Sequence, residues 1–438
     1  MSVLRAQAPI SPDRGKLVAL LATPAMAIFV TSNLVNVGNL TFNLLFSRWM
    51  GPELFGDLTV LLTIKLALLG MLGAFQSAVS QRIAAEDASG RQNLKLVLAK
   101  LNKAALVIGF IALPVIGFAL VKGDAGGLLG LESTYLLLML MAALPVASSL
   151  SVLRGVALGQ MIVSKIVFSS LVEMAVRLIG AIIVWQMGFG IEGVVLTIAL
   201  SIVAGWIVLT DLLPSPRLAQ SQARGLAGAI SLSALPFGVL YFAQVLALDG
   251  DIFLAKALLP AEDAGYVAAL LLFQRIQFFA CFALASVLLP AVVATARTGS
   301  NFLPATAPIL ALFFVSAVVF LTAARFQPEL MISLLVGSQY ADAAAGLMLA
   351  ALSAVAFTLS FLIATFLAAL NDRNGIWATA VAAILQLVIM AVFTKGSSVT
   401  FINILEIKCA VQCTLAFGLT TYTGLRLTRM TRSQPNKF

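Results

Sequence analysis

Apolar runs long enough to cross a lipid bilayer follow one another along almost the whole chain. A transmembrane helix needs about 20 predominantly apolar residues, and short polar turns divide this sequence into runs of about that length or longer. The runs cover 17–47, 57–81, 104–121, 134–153, 166–187, 191–213, 229–255, 265–294, 302–324, 343–370, 375–394 and 399–425. The pattern predicts an all-α polytopic membrane protein with about 12 transmembrane helices.

A polar stretch near the middle of the chain divides the runs into two sets of six. Its sequence, LLPSPRLAQSQARG, contains the prolines, serines and glutamines that are typical of a linker. The predicted organisation is an N-terminal tail at 1–16, a six-helix lobe at 17–213, a linker at 214–228, a second six-helix lobe at 229–425 and a basic tail at 426–438.

The two halves contain a weak internal repeat. FNLLFSRWMGPELFGDLTVLLTIK in the first half and DIFLAKALLPAEDAGYVAALLLFQR in the second each join two spans through a turn with proline and glycine. Each second span also carries one cation, Lys65 or Arg275, and at an offset of 208 residues Asn43 aligns with Asp251. Because six spans separate equivalent positions, the two lobes run in the same direction. We therefore predict a pseudo-twofold axis along the membrane normal.

Composition and charge narrow the class of protein and predict its orientation. Hydrophobic residues make up 61% of the chain and charged residues only 10%, which excludes a soluble fold. With the N-terminus in the cytoplasm, 18 Lys and Arg residues fall on the inner side and five in outer loops. Arg154 belongs to the inner group and Lys256 to the outer group. Since cytoplasmic loops carry the excess of Lys and Arg, both tails and the linker are predicted to be cytoplasmic.

The chemistry-bearing residue types favour transport over catalysis. Histidine is absent, and Cys281, Cys409 and Cys413 all lie inside apolar runs, so neither a metal site nor a disulfide is predicted. No phosphate-binding glycine loop or nucleophile elbow is found. We therefore expect no enzyme activity and no cofactor. We also expect no nucleic-acid partner, because the net charge of +9 matches inner loops that face anionic membrane lipids.

Four cations lie within predicted spans, where a charge costs at least about 2.5 kcal/mol at the bilayer centre. They are Lys65, Arg177, Arg275 and Lys408. One interpretation is that they snorkel or form local pairs, since Glu173 precedes Arg177 by one helical turn and Glu406 lies near Lys408. The other is that they face a water-filled cavity between the lobes and attract an anionic cargo. The sequence alone leaves both open.

Polar stripes suggest where such a cavity lies. Asn36 and Asn43 belong to a stripe of serine and asparagine on one face of the first span. Gln244 in the seventh span aligns with Asn36 at the offset of 208 residues, and Gln274 adds a polar residue in the eighth span. Amides of this kind bind sugar hydroxyls in a cavity, or they connect neighbouring helices by hydrogen bonds.

These residues resemble a known family. LLFSRWMGPELFGDLTVL, DIFLAKALLPAEDAGYVAALLLFQRI and LLVGSQYADAAAGLMLAALSAV are similar to segments of the polysaccharide and oligosaccharide-lipid flippases. Those proteins belong to the multidrug, oligosaccharidyl-lipid and polysaccharide exporter superfamily. The resemblance implies a V-shaped pair of six-helix lobes in a bacterial inner membrane that opens alternately to each side. It also implies the cargo, an undecaprenyl-pyrophosphate-linked oligosaccharide repeat unit for exopolysaccharide or O-antigen synthesis, and a polysaccharide polymerase as a partner.

The resemblance also suggests roles for individual residues. The candidates for the cargo's diphosphate are Arg48, Lys65, Arg177, Arg275 and Lys408. The candidates for sugar contacts are Asn36, Asn43, Gln244 and Gln274. A proton gradient, a sodium gradient or the membrane potential would supply the energy, and Asp251 is the candidate for ion coupling. Its alternative role is an ion pair with Arg275 or Lys256.

Two related functions remain open on the sequence. A cation-coupled multidrug exporter would share the fold, but we expect its cavity to carry more unpaired acidic and aromatic residues than cations. A lipid II flippase has similar cargo chemistry and more spans than the number predicted here. A membrane glycosyltransferase or ligase is disfavoured, because the chain lacks both a large outer loop and paired catalytic acids.

Overall fold

A computed structural model describes residues 24–86, 88–213, 238–239, 241–298, 302–370, 372–393 and 399–433. The predicted N-terminal tail at 1–16 and the predicted linker at 214–228 lie outside these residues. All regular structure in the described part of the chain is helical, which confirms the all-α prediction.

The helices follow the predicted order of spans. The first lobe contains α1 Pro24–Ala85, α2 Ala88–Lys122, α3 Thr134–Met141, α4 Leu144–Gly159, α5 Val163–Gln186 and α6 Gly190–Ile207, with short helical turns at Ala125–Leu128 and Thr210–Leu212. The second lobe contains α7 at 241–249, α8 Asp251–Leu258, α9 Ala261–Thr298, α10 Leu303–Phe326, α11 Pro328–Leu335, α12 Leu347–Ala369, α13 Asn374–Phe393 and α14 Phe401–Ser433. A 3-10 segment, Ser338–Gly346, precedes α12.

Within the described residues, 10 helical stretches are long and apolar enough to cross a membrane. The first of them contains two predicted spans, because α1 is 62 residues long and breaks at Gly51. Gly51 adopts φ 76°, a conformation that favours glycine, and Pro52 follows without a backbone donor. Helices α7 and α8 occupy the place of the predicted seventh span. In the described part of the chain the helices follow the order of the twelve predicted spans, and residues 229–237 and 240 of the predicted seventh span lie outside it.

Among the described residues, the buried hydrophobic cluster that the two lobes share lies at one end of the protein. The largest buried cluster contains residues of both lobes near the Gly51 break, including Phe46, Phe55, Tyr266 and Tyr340. The other three clusters each belong to a single lobe. We call the end with the shared cluster the closed end, and the positive-inside pattern predicts that it faces away from the cytoplasm.

Polar contacts between the lobes reinforce the closed end. The Lys256 ammonium lies 2.5 Å from the Asp57 carboxylate, and both side chains are almost fully buried. The Tyr340 hydroxyl donates to the Ser47 carbonyl at 2.9 Å. A Cβ atom on Gly265 would lie 2.2 Å from the Pro52 carbonyl oxygen, so glycine is required for this close approach of the two lobes.

Candidate functional site

A cavity of about 570 Å³ lies between the lobes, inward of the shared core. Its walls come from both arms of α1, from α4 and α5 in the first lobe, and from α9 in the second. Four cations line it, namely Lys65, Arg154, Arg177 and Arg275. Among the residues that the structure describes, Glu173 is the one carboxylate in the lining. The cavity therefore favours anions over cations.

Lys65 is the cation with the fewest interactions in the cavity. Its side chain is only 6% exposed, and no described residue accepts a hydrogen bond or forms an ion pair with its ammonium. The position follows from the sequence, because Lys65 lies in the middle of the second arm of α1, between apolar residues that pack on both sides. A buried ammonium without a partner is strongly unfavourable, and such a group attracts an anion from outside the protein.

Glu173 connects the two arginines of the first lobe. Its Oε2 lies 2.8 Å from Arg154 Nη2, and its Oε1 lies 3.8 Å from Arg177 Nη1. Arg154 also donates to the Ser169 hydroxyl at 3.2 Å, and Arg177 donates to the Asn39 side-chain oxygen. The local pair of Glu173 with Arg177 is thus present, but the closer partner of Glu173 is Arg154.

Arg154 was missed as a site residue because the sequence map places it in an inner loop. The predicted fourth span ends at 153, whereas α4 continues to Gly159. The signal was present in the sequence, since GVALG after Arg154 is apolar and contains no polar turn. A span extended by one and a half turns places Arg154 inside the membrane region, where it is half-buried in the cavity lining.

Arg275 links the lobes and is neutralised within the protein. Its Nε lies 2.9 Å from Asp249 Oδ1, and its Nη2 donates to the Thr63 hydroxyl at 3.2 Å. Asp249 comes from α7, on the same lobe as Arg275, while Thr63 comes from the first lobe. Arg275 therefore lines the cavity, yet it adds little net charge to it.

Lys408 and Asp251 form a separate ion pair inside the second lobe. Lys408 Nζ lies 2.9 Å from Asp251 Oδ1 and donates to the Leu248 carbonyl at 2.7 Å. The two residues are 1% and 0% exposed. Lys408 does not line the cavity, and its partner is Asp251 instead of the neighbouring Glu406. Asp251 likewise pairs with Lys408, in place of the expected Arg275 or Lys256.

The other predicted site residues lie in the cavity, in the interior of the second lobe or, for Arg48, on the surface. Asn36 and Asn43 line the cavity, and the Asn43 side-chain oxygen has no partner in the described part of the structure. Gln244 and Gln274 are buried within the second lobe, where Gln274 donates to the Ser353 hydroxyl at 3.4 Å. Arg48 lies exposed at the closed end and donates to the Leu334 carbonyl.

The structure thus brings five of the predicted residues together and places five elsewhere. Lys65, Arg177, Arg275, Asn36 and Asn43 share the cavity. The residues outside it are Arg48, Lys408, Gln244, Gln274 and Asp251. Within the described residues, no group of three or more acidic, cysteine or histidine side chains is placed to hold a metal ion.

A larger groove lies on the side of the second lobe. It has a volume of about 750 Å³ and runs between α13 and α14, with an almost entirely apolar lining. Lipid chains of the bilayer match this lining better than a polar cargo does. The central cavity, with its charges and amides, is therefore the candidate site.

No protein-family model and no curated protein matches the sequence. Solved structures, in contrast, share the fold at low identity. An inward-facing multidrug resistance MATE family transporter of the MOP superfamily superposes with TM-score 0.76 and 14% identity, over 91% of this chain and 96% of that one. An outward-facing multidrug resistance MATE family transporter of the MOP superfamily superposes with TM-score 0.62 and 14% identity, over 95% of this chain and 96% of that one. The lipid II flippase MurJ, in an inward closed conformation, superposes with TM-score 0.71 and 12% identity, over 90% of this chain and 87% of that one. The chain has the fold of these transporters.

Proposed function

We propose that this protein is a flippase that moves an undecaprenyl-pyrophosphate-linked oligosaccharide repeat unit across the bacterial inner membrane by alternating access. The exported unit would serve exopolysaccharide or O-antigen synthesis, in which a membrane polymerase would receive it. The observation that carries the proposal is the buried Lys65 ammonium, which forms no hydrogen bond or close ion pair with a described residue, in a cavity with three arginines. A non-enzymatic role agrees with the fold, which the chain shares with transporters.

The charge of the cavity matches the proposed cargo. In their protonated forms Lys65, Arg154 and Arg177 contribute three positive charges against the one negative charge of Glu173, while Arg275 is balanced by Asp249. The excess is therefore two positive charges. A diphosphate that joins a lipid to a sugar carries about one negative charge on each phosphate. The cavity compensates this charge without further ions.

The cavity also supplies groups for the glycan. Asn36 and Asn43 extend along the first arm of α1 beside the cations. The Asn43 side-chain oxygen is buried and has no partner among the described residues, and it would accept a hydrogen bond from a sugar hydroxyl that reaches it. The lipid tail would remain in the bilayer, because a long hydrocarbon chain gains nothing from a polar cavity.

The packing of the lobes supports alternating access. The shared core and the Asp57–Lys256 ion pair close one end, while the clusters on the other side of the cavity belong to separate lobes. The higher TM-score with the inward-facing MATE structure, 0.76 against 0.62 for the outward-facing one, agrees with an inward-facing state. In the opposite state the lobes would separate at the closed end and the buried ion pair would break.

Removing the Lys256 charge should favour this opposite state. Lys256→Met leaves Asp57 buried without its partner, which costs about 3–5 kcal/mol in comparable pairs. We expect a cysteine at position 47, where Ser47 is now fully buried, to react at least about tenfold faster with a membrane-impermeant maleimide. The experiment uses a variant without the native cysteines. Lys122→Met, which removes an exposed cation, is the matched control. Equal labelling in both variants would contradict the role of the ion pair.

A lipid II flippase is the second candidate, because the MurJ structure aligns over 90% of this chain with TM-score 0.71. Its cargo chemistry also requires a cationic cavity, so the two proposals differ in the glycan. A multidrug exporter shares the fold, but four cations and one carboxylate in the described lining disfavour cationic drugs. Energy coupling to a proton gradient, a sodium gradient or the membrane potential completes the proposal, with Asp251 as the residue to test.

Native mass spectrometry of the purified protein tests the proposal. The ligands are an undecaprenyl-diphosphate-linked oligosaccharide, lipid II and an amphiphilic organic cation, each added at equal concentration. We expect the oligosaccharide lipid to bind and the cation to bind weakly. Preferential binding of lipid II would favour the second candidate. Strong binding of the cation without either diphosphate lipid would overturn the flippase proposal in favour of drug export.

A further inference from the structure

Glu173 occupies an unusual place in a cavity for anions. It is only 9% exposed, and its two carboxylate oxygens approach two different arginines, at 2.8 Å for Arg154 and 3.8 Å for Arg177. A carboxylate that served only to fix one arginine would form two parallel hydrogen bonds with it. This carboxylate instead lies between two cations, Arg154 and Arg177.

The arginines retain donors for a second anion. Arg177 is beyond hydrogen-bond distance of Glu173, and the buried Nε of Arg154 has no partner among the described residues. The Lys65 ammonium, in the same cavity lining, forms no hydrogen bond and no close ion pair with a described residue. Glu173 therefore compensates part of the cluster and leaves enough positive charge to bind a diphosphate.

A carrier needs this balance because it must release its cargo as well as bind it. Three cations without a carboxylate would repel one another strongly in the low-dielectric cavity. They would also hold a doubly charged anion so tightly that it would dissociate slowly. A carboxylate in the cluster lowers the energy of the empty state, so release of the cargo becomes easier.

We infer that Glu173 is an internal counter-anion that sets the affinity for the diphosphate cargo and permits its release. When the cavity is empty, Glu173 neutralises one charge shared by Arg154 and Arg177. When the diphosphate binds, the phosphate oxygens share the same arginines and Glu173 repels them. This inference rests on the proposed function, and it makes Glu173 a residue that determines turnover.

Glu173→Gln tests the inference, because glutamine keeps the size and removes the charge. In full-length protein in lipid nanodiscs, we expect the variant to bind an undecaprenyl-diphosphate-linked oligosaccharide at least about tenfold more tightly than wild type, with slower dissociation. In proteoliposomes its rate of transport should fall by a similar factor. Glu173→Asp retains the charge and should bind within about threefold of wild type. Asp211→Asn, which removes an exposed carboxylate paired with Lys165, should change neither quantity.

The outcomes separate this inference from the proposed function. If the wild-type protein binds no diphosphate lipid, the proposed function fails. If the wild type binds it and Glu173→Gln binds it equally or more weakly, the carboxylate only positions the arginines and the inference fails. Glu173→Ala removes the same charge and is the second variant where Glu173→Gln folds poorly. It too should bind the diphosphate lipid at least about tenfold more tightly than wild type, and equal or weaker binding by the folded variant would overturn the inference.

Discussion

Replacing Lys65 by alanine is expected to abolish transport of the diphosphate-linked cargo and to leave the fold intact. The ammonium is buried, lines the cavity and has no partner in the described residues. Its removal leaves no other group unsatisfied, and it ends the cost of burying an unpaired charge. Truncation of one member of a buried charge pair costs about 2–5 kcal/mol of binding, so cargo affinity should fall at least about 30-fold.

The measurement is the rate at which a fluorescent polyprenyl-diphosphate oligosaccharide crosses the membrane of proteoliposomes, together with the melting temperature in detergent. Lys65→Arg keeps the charge and should retain part of the rate. Lys103→Ala removes an exposed cation on α2 and serves as the matched control. Transport at the wild-type rate by Lys65→Ala would show that the cavity cation has no role in the cargo's passage.

Arg275 does not offer an equally clean test. From the sequence, its replacement by alanine is expected to stop export without loss of folding, as for Lys65. The structure places its guanidinium 2.9 Å from Asp249, which is 1% exposed. Alanine there would leave a buried carboxylate unpaired, at a cost of about 3–5 kcal/mol. A transport defect in this variant would therefore combine instability with loss of binding.

The second large effect concerns stability within the second lobe. Lys408→Met should destabilise the protein by about 3–5 kcal/mol, because it leaves the fully buried Asp251 without its partner. The double variant Lys408→Met with Asp251→Asn removes both charges and should recover most of the lost stability. Free energies of unfolding of the wild type, both single variants and the double variant give the coupling energy. A double variant no more stable than Lys408→Met alone would show that the pair is not the source of the effect.

The same variants examine energy coupling. If Asp251 carries the coupling ion, the flux through Asp251→Asn should lose its dependence on pH or sodium even where the protein is folded. A flux that matches wild type under every gradient would remove Asp251 from the mechanism and leave its ion pair with Lys408 as its role.

Much of the fold follows from the sequence because its signals are local. Long apolar runs and the Gly51–Pro52 turn predict the helices and the break in α1. Lys65 and Asn43 are recognisable as candidate site residues because polar groups are rare inside apolar spans. Arg154 was missed because it lies just past the predicted end of a span, where the helix continues.

The sequence does not predict which buried cations face the cavity. Lys408 satisfies the same local pattern as Lys65, but its partner Asp251 lies 157 residues away on another helix. Arg275 likewise has a carboxylate partner, Asp249, on another helix of its own lobe. Whether a buried cation is neutralised within its lobe depends on helix packing, and a run of apolar residues carries no information on the facing helix.

The most direct test of the central claim is to locate the diphosphate in a cryo-EM structure of the protein with an undecaprenyl-diphosphate-linked oligosaccharide. We predict that both phosphates lie in the central cavity, within hydrogen-bond or ion-pair distance of Lys65, Arg154 and Arg177, with the sugars beside Asn36 and Asn43. A diphosphate bound outside this cavity, with Lys65 still unpartnered, would contradict the account.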